Sequence, residues 1–208
     1  MLYRTIRPST LYVGTPVALI TTQQPDGSTN ISPMSSVWAL GQRLVLGLGG
    51  EGQCLANLQR TQEAVVNIPC ESLFAHVERI ARTTGRNPVP AEKQAMGYFF
   101  EADKFSRAQL TAVSSEVVRP PRIAECPLQL EVKVLAAHAA TAVDGETDPG
   151  FSIVEVAVLR VHAHASATVE CTNHIDVTQW KPLFYVFRHY FGLGHTLGHN
   201  FRAEQRAQ

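Results

Sequence analysis

The stretch PVALITTQQPDGSTNISPMSSVWALGQRLVLGLGG, residues 16–50, decides the fold. PVALITT (16–22) and NISPMSSVWAL (30–40) are apolar, β-branched runs on either side of a Pro25-Asp26-Gly27 turn, and RLVLGL (43–48) follows. Runs of this kind separated by turn residues predict consecutive antiparallel strands. Working outward, GQCLANLQRT (52–61) sets Leu55 and Leu58 at helical spacing, and AVVNIP (64–69) returns to strand character. ESLFAHVERIARTTG (71–85) places Leu73, Phe74, Val77 and Ile80 on one helical face, and Thr83-Thr84-Gly85-Arg86 with Asn87-Pro88 ends that helix, expected on the outside of a barrel. Residues 88–122 are mixed and turn-rich. CPLQLEVKVLAAHAA (126–140) and FSIVEVAVLRVHAHASA (151–167) alternate apolar with polar residues and bracket DGETDPG (144–150) as a hairpin. The aromatic tail PLFYVFRHYFGLGHTLGHNF (182–201) reads as a segment that docks on a surface rather than as a strand. The pattern predicts a mainly β protein, an antiparallel barrel with added helices, forming one domain over residues 1–208.

Composition narrows the function. The 18 Lys and Arg balance 18 Asp and Glu, and charged residues make up only 17% of the 208-residue chain. Binding of nucleic acid through bulk positive charge is therefore excluded. No stretch approaches the roughly 20 apolar residues of a membrane span, and the first residues hold no apolar signal region, which predicts a cytoplasmic protein without a membrane partner. Cys54, Cys70, Cys126 and Cys171 form no CxxC pair and are expected as buried, reduced thiols.

Gly47-Leu48-Gly49-Gly50-Glu51-Gly52 satisfies GxGxxG after a predicted strand, and Glu71 stands about 20 residues on, where a dinucleotide-binding fold places its acid. The hairpin-linked strands on either side argue against the parallel sheet that this fold requires. The local physics survives: a Gly-rich turn into a helix start brings backbone amides and partial positive charge to a phosphate. A plain strand-to-helix turn explains the same glycines.

Asn30-Ile31-Ser32-Pro33-Met34-Ser35-Ser36-Val37-Trp38 gathers an amide, three hydroxyls and an indole between strands. Such a span either supplies directed donors beside an apolar wall for a planar ring, or is a Ser-rich turn with a core Trp. His162-x-His164 on one face of a strand and His195-x-x-x-His199 on one face of a helix have chelating spacing, but no third ligand is written nearby and no HExxH is present. The metal reading is set aside, and His162 remains a candidate proton donor near neutral pH. Without GxSxG or an activated Cys, nucleophilic hydrolysis is set aside too.

The ordered series PVALITT, a DG turn, NISPMSS and CLANLQRTQEAVVNIP resembles the opening of the flavin reductase-like FMN-binding split-barrel proteins. That family includes flavoredoxin and the reductase components of two-component monooxygenases. The resemblance continues through RTTGRNPVP, DKF, PPRIAECPLQLE, VEVAVLRVHAHA and Tyr190-Phe191-Gly192-Leu193-Gly194. It implies a six-stranded antiparallel split β-barrel with Greek-key connections and peripheral helices, a homodimer, and FMN near the subunit interface. It also implies NAD(P)H as reductant, hydride transfer to flavin N5, and an electron acceptor or monooxygenase partner. The family stretch that contacts the isoalloxazine matches Asn30, Ser32, Met34, Ser35, Ser36, Val37 and Trp38, with Ser35 and Ser36 as donors. The phosphate-side loop matches Gly52, Gln53, Cys54 and Asn57; where the family has Thr-x-x-Asn, this chain has Cys54-Leu55-Ala56-Asn57, a weaker donor that Gln53, Asn57 and the helix-start amides compensate. Thr83, Thr84 and Arg86 resemble a polar segment that reaches the cofactor, and His162 is a candidate for nicotinamide contact or proton supply. A non-enzymatic FMN-binding or storage protein would share the fold and the loop.

Overall fold

The computed structural model describes residues 1–144 and 150–198. The first half holds β1 (Val13–Pro16), β2 (Ala18–Gln23), β3 (Thr29–Met34), β4 (Val37–Leu40), β5 (Arg43–Gly49), α1 (Gln53–Thr61) and β6 (Glu63–Ile68). A 3₁₀ turn at Glu71–Leu73 leads into α2 (Phe74–Ala81), followed by β7 (Thr83–Thr84), α3 (Ala91–Ala95), β8 (Phe99–Phe100) and α4 (Lys104–Ala108). The second half holds β9 (Ala112–Val113), β10 (Arg122–Ile123), β11 (Leu128–Ala139), β12 (Phe151–Ala163), β13 (Phe184–Val186) and β14 (His189–Phe191).

Asp26 shapes the first hairpin, its carboxylate accepting both the amide (3.0 Å) and the hydroxyl (2.7 Å) of Ser28, while Gly27 takes the φ of 87° that the reversal needs. The main sheet is antiparallel throughout, in the order β3-β2-β6-β11-β12-β5-β4. Its two edge strands, β3 and β4, are joined by Ser35 and Ser36 alone. The sheet therefore curls until its edges meet. Counted as one strand bent at that joint, β3–β4 gives the six strands of the expected barrel.

The continuous apolar run of β2 is explained by burial on both faces. Ala18 and Ile20 point inside, to a core with Leu46, Val66, Val132, Val154 and Val156 that Leu55 and Leu58 of α1 complete. Val17 and Leu19 point outside, where Val77 and Ile80 of α2, Ala108 and Ile123 cover them. So α2 lies on the outside of the barrel, as its pattern predicts. Register pairing from Leu128↔Ala163 to Ala139↔Ser152 forms the β11–β12 hairpin; residues 145–149 of its DGETDPG turn lie outside the described residues.

Four expectations are corrected. The tail does form strands: β13 and β14 make a sheet with β1, because β1 is not paired to the barrel and its backbone groups need partners. Phe74 is exposed rather than buried, with its ring edge-on to Tyr190 at 5.1 Å. Cys54 and Cys126 are buried, but Cys70 is half-buried and Cys171 exposed, on a surface turn where the chain is at φ 57°. Residues 192–198 form no helix, so His195 has no helical face to share, and His199 lies outside the described residues. Among the described residues, no helix is long and apolar enough to cross a membrane.

Candidate functional site

A cavity of about 580 Å³ opens at the joint where the barrel closes. One wall is the joint itself, Ser32 to Ser36. A second is the end of β5 and the start of α1, including Gly52, Gln53 and Cys54. The third comes from α2 and β7 (Glu78, Thr83, Thr84), with Gly85 behind them. Tyr12 and the β13–β14 hairpin close the mouth with Tyr185, Arg188 and Tyr190.

The α1 wall carries positive potential without any side-chain charge of its own. Gly52 is the N-cap, no side chain caps the helix, and no acidic residue stands in its first turn. The first-turn amides are thus without intrahelical acceptors and face the cavity at the positive end of the helix. A Cβ on Gly52 would stand 2.9 Å from the Gly49 carbonyl oxygen, to which the Gly52 amide donates at 2.9 Å, so this turn requires glycine. Lys93 adds a cation; burial lowers its pKa, and Arg86 lowers it further against the opposing pull of Glu51.

Lys104 is the least expected wall residue. It is 2% exposed, and its Nζ donates to the Ile31 carbonyl at 2.9 Å. Burial pushes the ammonium down to about 8, with Lys93 and Glu101 as charged neighbours. Cys54 is buried beside Ser32 and Lys104, and burial pushes its thiol up to about 12, so it is a neutral side chain at ordinary pH.

The structure brings together Ser32, Met34, Ser35, Ser36, Gly52, Gln53, Cys54, Thr83 and Thr84 around one cavity. Ser36 shares a 2.7 Å hydrogen bond with the Tyr12 hydroxyl, which holds the joint to the N-terminal segment. Thr83 spends its hydroxyl on Ile80 (2.8 Å), and Thr84 accepts the Arg86 amide (3.2 Å).

Five other expected residues stand off the wall. Asn30 is one layer behind, donating to the Ser32 hydroxyl at 2.9 Å, with its buried Oδ1 unpartnered and turned toward Gly85. Arg86 lies beside Gly85, its Nε also buried and unpartnered. Asn57 is consumed by structure: its amide donates to Thr22 (3.0 Å) and Gln24 (3.2 Å) and accepts from Gln53 (2.9 Å). Val37 is a core residue. Trp38 is 57% exposed, which overturns both readings of it, since it is neither a cavity wall nor a core side chain; β4 turns one face to the core through Val37 and leaves the indole on the other.

His162 is remote from this cavity. It lines a separate small hollow with Arg122 and His164, and its Nε2 is 2.7 Å from the Glu131 carboxylate. That carboxylate, fully buried, also accepts the amides of Glu116, Val117 and Val118 at 2.7–3.1 Å, so His162 belongs to a latch that holds the 116–118 loop. The His164 ring bonds the Ala124 carbonyl at 2.8 Å, which gives the two imidazoles of His162-x-His164 different partners.

The fold itself settles the glycine motif, because the strands flanking Gly47–Gly52 are antiparallel and the dinucleotide-binding sheet is absent from the described residues. The family model for the flavin reductase like domain matches residues 10–194. An uncharacterised protein of Bacillus subtilis (strain 168), YdfE, is 42% identical over 97% of this chain and 95% of its own length. Among solved structures, flavoredoxin of Desulfovibrio vulgaris (Miyazaki F) superposes with a TM-score of 0.77 at 19% identity, covering 98% of this chain and all (100%) of that one. Nitrilotriacetate monooxygenase component B from Bacillus cereus gives 0.75 at 19% identity, over 95% and 99%. With a match that spans both the barrel and the hairpin closing its cavity, the chain belongs to the flavin reductase-like family.

Proposed function

We propose that this cavity binds FMN and that the protein is an NAD(P)H-dependent flavin oxidoreductase, acting as a flavin reductase or as a flavoredoxin-like electron carrier. One observation carries the reading: a single cavity sets the uncapped amide end of α1, with Lys93 beside it, against the hydroxyl-lined joint Ser32–Ser36. The first suits a phosphate and the second the polar edge of a ring. The volume, about 580 Å³, lies in the range of ligand cavities. Buried atoms on Asn30 and Arg86 flank Gly85 on the wall, an acceptor and a donor without a hydrogen-bond partner among the described residues.

FMN, when bound, supplies the capacity to take hydride at N5 from NAD(P)H and to pass electrons on. The chain's residues bind and orient. The α1 amides and Lys93 hold the phosphate, Ser35 and Ser36 direct donors at the ring, and buried Lys104 places a proton-bearing cation against the joint. Tyr12 holds Ser36 in place. Residues 1–208 are read as one domain because β1 and β13–β14, from opposite ends of the chain, share a sheet over the cavity. Exposed Trp38, Leu40, Leu159 and Val161 give an apolar surface for a homodimer. The partner in this reading is an electron acceptor or a monooxygenase component, in keeping with the similarity to a solved structure of component B of a monooxygenase.

The test adds FMN and NADH or NADPH to purified protein and follows nicotinamide absorbance. Oxidation that depends on both protein and FMN is expected. Bound FMN with no oxidation of either nicotinamide would leave a binding or storage protein and overturn the enzyme reading. Replacing Ser35 and Ser36 together with bulky residues is expected to abolish FMN retention while far-UV circular dichroism stays unchanged.

A further inference from the structure

The β13–β14 hairpin turns through Phe187 and Arg188, with φ of 44° and 71°. A two-residue turn with both residues in the left-handed region normally carries Asn-Gly or Asp-Gly, since a side chain there meets its own backbone. Neither residue recovers that cost by packing, because Phe187 and Arg188 are both exposed. The turn is held from outside: the Phe187 amide donates to the Tyr12 carbonyl (2.8 Å), β13 pairs with β1, and Tyr185 stacks edge-on against Tyr12 and Tyr190. Backbone strain that surrounding structure maintains without gain in burial is characteristic of a site that needs a side chain aimed.

What the turn aims is a guanidinium at the cavity mouth. Arg188 lines the cavity and, among the described residues, makes no hydrogen bond or ion pair; the group its charge reaches is the Tyr185 phenol. Glu78, the carboxylate on the same wall, bonds the Tyr190 phenol, and its charge also reaches the Tyr185 phenol, but it forms no ion pair with Arg188 among the described residues. The remaining cations of the cavity stand elsewhere, with Lys93 near Arg86 and Glu51 at the α1 end and Lys104 under the joint. Arg188 is thus a cation apart from the Lys93 and Lys104 positions, and FMN brings one phosphate.

We propose that Arg188 is a specificity-determining residue that receives the diphosphate of the nicotinamide dinucleotide as it enters over the flavin. This rests on the flavin reading above. A guanidinium suits the task because its planar fork bonds two phosphate oxygens at once. The strained turn then has a function: it presents the fork at the mouth with no competing carboxylate bonded to it.

Isothermal titration of the FMN-loaded protein with ADP-ribose, which has the diphosphate and lacks the nicotinamide, tests the proposal, with FMN titrated into flavin-free protein in parallel. Arg188→Gly is expected to weaken ADP-ribose at least tenfold, to leave FMN affinity within twofold, and to keep or raise the thermal midpoint, because glycine is at ease at φ 71°. Arg188→Lys, charged but without the fork, is expected in between. ADP-ribose binding that is absent in the parent, or equal in parent and Arg188→Gly, overturns the assignment. Loss of FMN affinity in step with ADP-ribose overturns it differently, by placing Arg188 on the flavin phosphate. Failure of the parent to bind FMN at all overturns the flavin reading itself, and that arm is read before any variant is made.

Discussion

Lys104 Nζ donates to the carbonyl of Ile31, 73 residues earlier, and so fastens the start of α4 to the middle of β3 beneath the cavity. Burial there lowers the pKa of the ammonium to about 8 from its ordinary 10.5. Between those values the unfolded chain holds a proton that the folded chain has released, so Lys104 contributes increasing stability as pH rises from about 8 toward 10.5, and full destabilisation by the buried charge below 8. Comparing denaturant midpoints of wild type and Lys104→Met across that window is expected to show this rising component in wild type alone. Parallel curves would place the lysine in water.

The resemblance read from the sequence implies a hydroxyl donor at the position that Cys54 occupies. Cys54→Thr adds one neutral hydrogen bond of about 0.5–1.5 kcal/mol, and FMN is expected to bind about 2- to 12-fold more tightly while riboflavin, without the phosphate, changes little. Calorimetric titration of both flavins checks this. An unchanged FMN constant would remove position 54 from the phosphate and ribityl chain.

Gly85 touches both the cavity and Asn30. A Cβ there would lie 2.4 Å from Asn30 Oδ1, and Asn30 is buried and tied to Ser32, so Gly85→Ala is expected to cost about 1–3 kcal/mol in urea unfolding. Asn30→Ala combined with Gly85→Ala is expected to lose less than the sum of the two single changes, because the overlap is gone. Strict additivity would show that the pair does not meet.

Glu131 accepts the amides of Glu116, Val117 and Val118 and the His162 ring. Burial raises its pKa, but those hydrogen bonds together outweigh burial and leave it below the usual 4.5. Its stabilising contribution is therefore complete above 4.5 and lost as pH falls toward the lowered value. Glu131→Gln turns a donor toward other donors and is expected to cost about 2 kcal/mol or more near neutral pH, a deficit that shrinks in acid. A pH-independent deficit would contradict the carboxylate's role.

The barrel was legible because its information is local: Pro25-Asp26-Gly27 writes a turn, and the alternation in residues 128–139 and 151–163 writes a hairpin. The three-stranded tail sheet was hidden, since Phe187-Arg188 offers none of the residues that announce a tight turn, and its partner β1 lies at the other end of the chain. At the site, the Ser32–Ser36 joint and the α1 start were readable from residue type and order. Trp38 and Asn57 were misjudged because strand phase decides which face Trp38 takes, and because a buried amide such as Asn57 satisfies Thr22 and Gln24, residues more than 30 positions away. Lys104 follows Asp103, a helix cap, and by pattern alone belongs in solvent; its burial depends on the distant Ile31 carbonyl.

Ser35 and Ser36, the link between the two margins of the sheet, also set the order in which the molecule is completed. The β2–β3 and β4–β5 hairpins close over short loops and are expected to form first, whereas the β6–β11 and β12–β5 pairings join residues as far apart as Ile68 and Leu128, or Gly49 and Phe151, and are expected to follow. Until those distant pairings are made, the link is an ordinary tether between two independent hairpins and no cavity exists around it. A ligand that binds at the link therefore binds the finished fold alone and stabilises it by mass action.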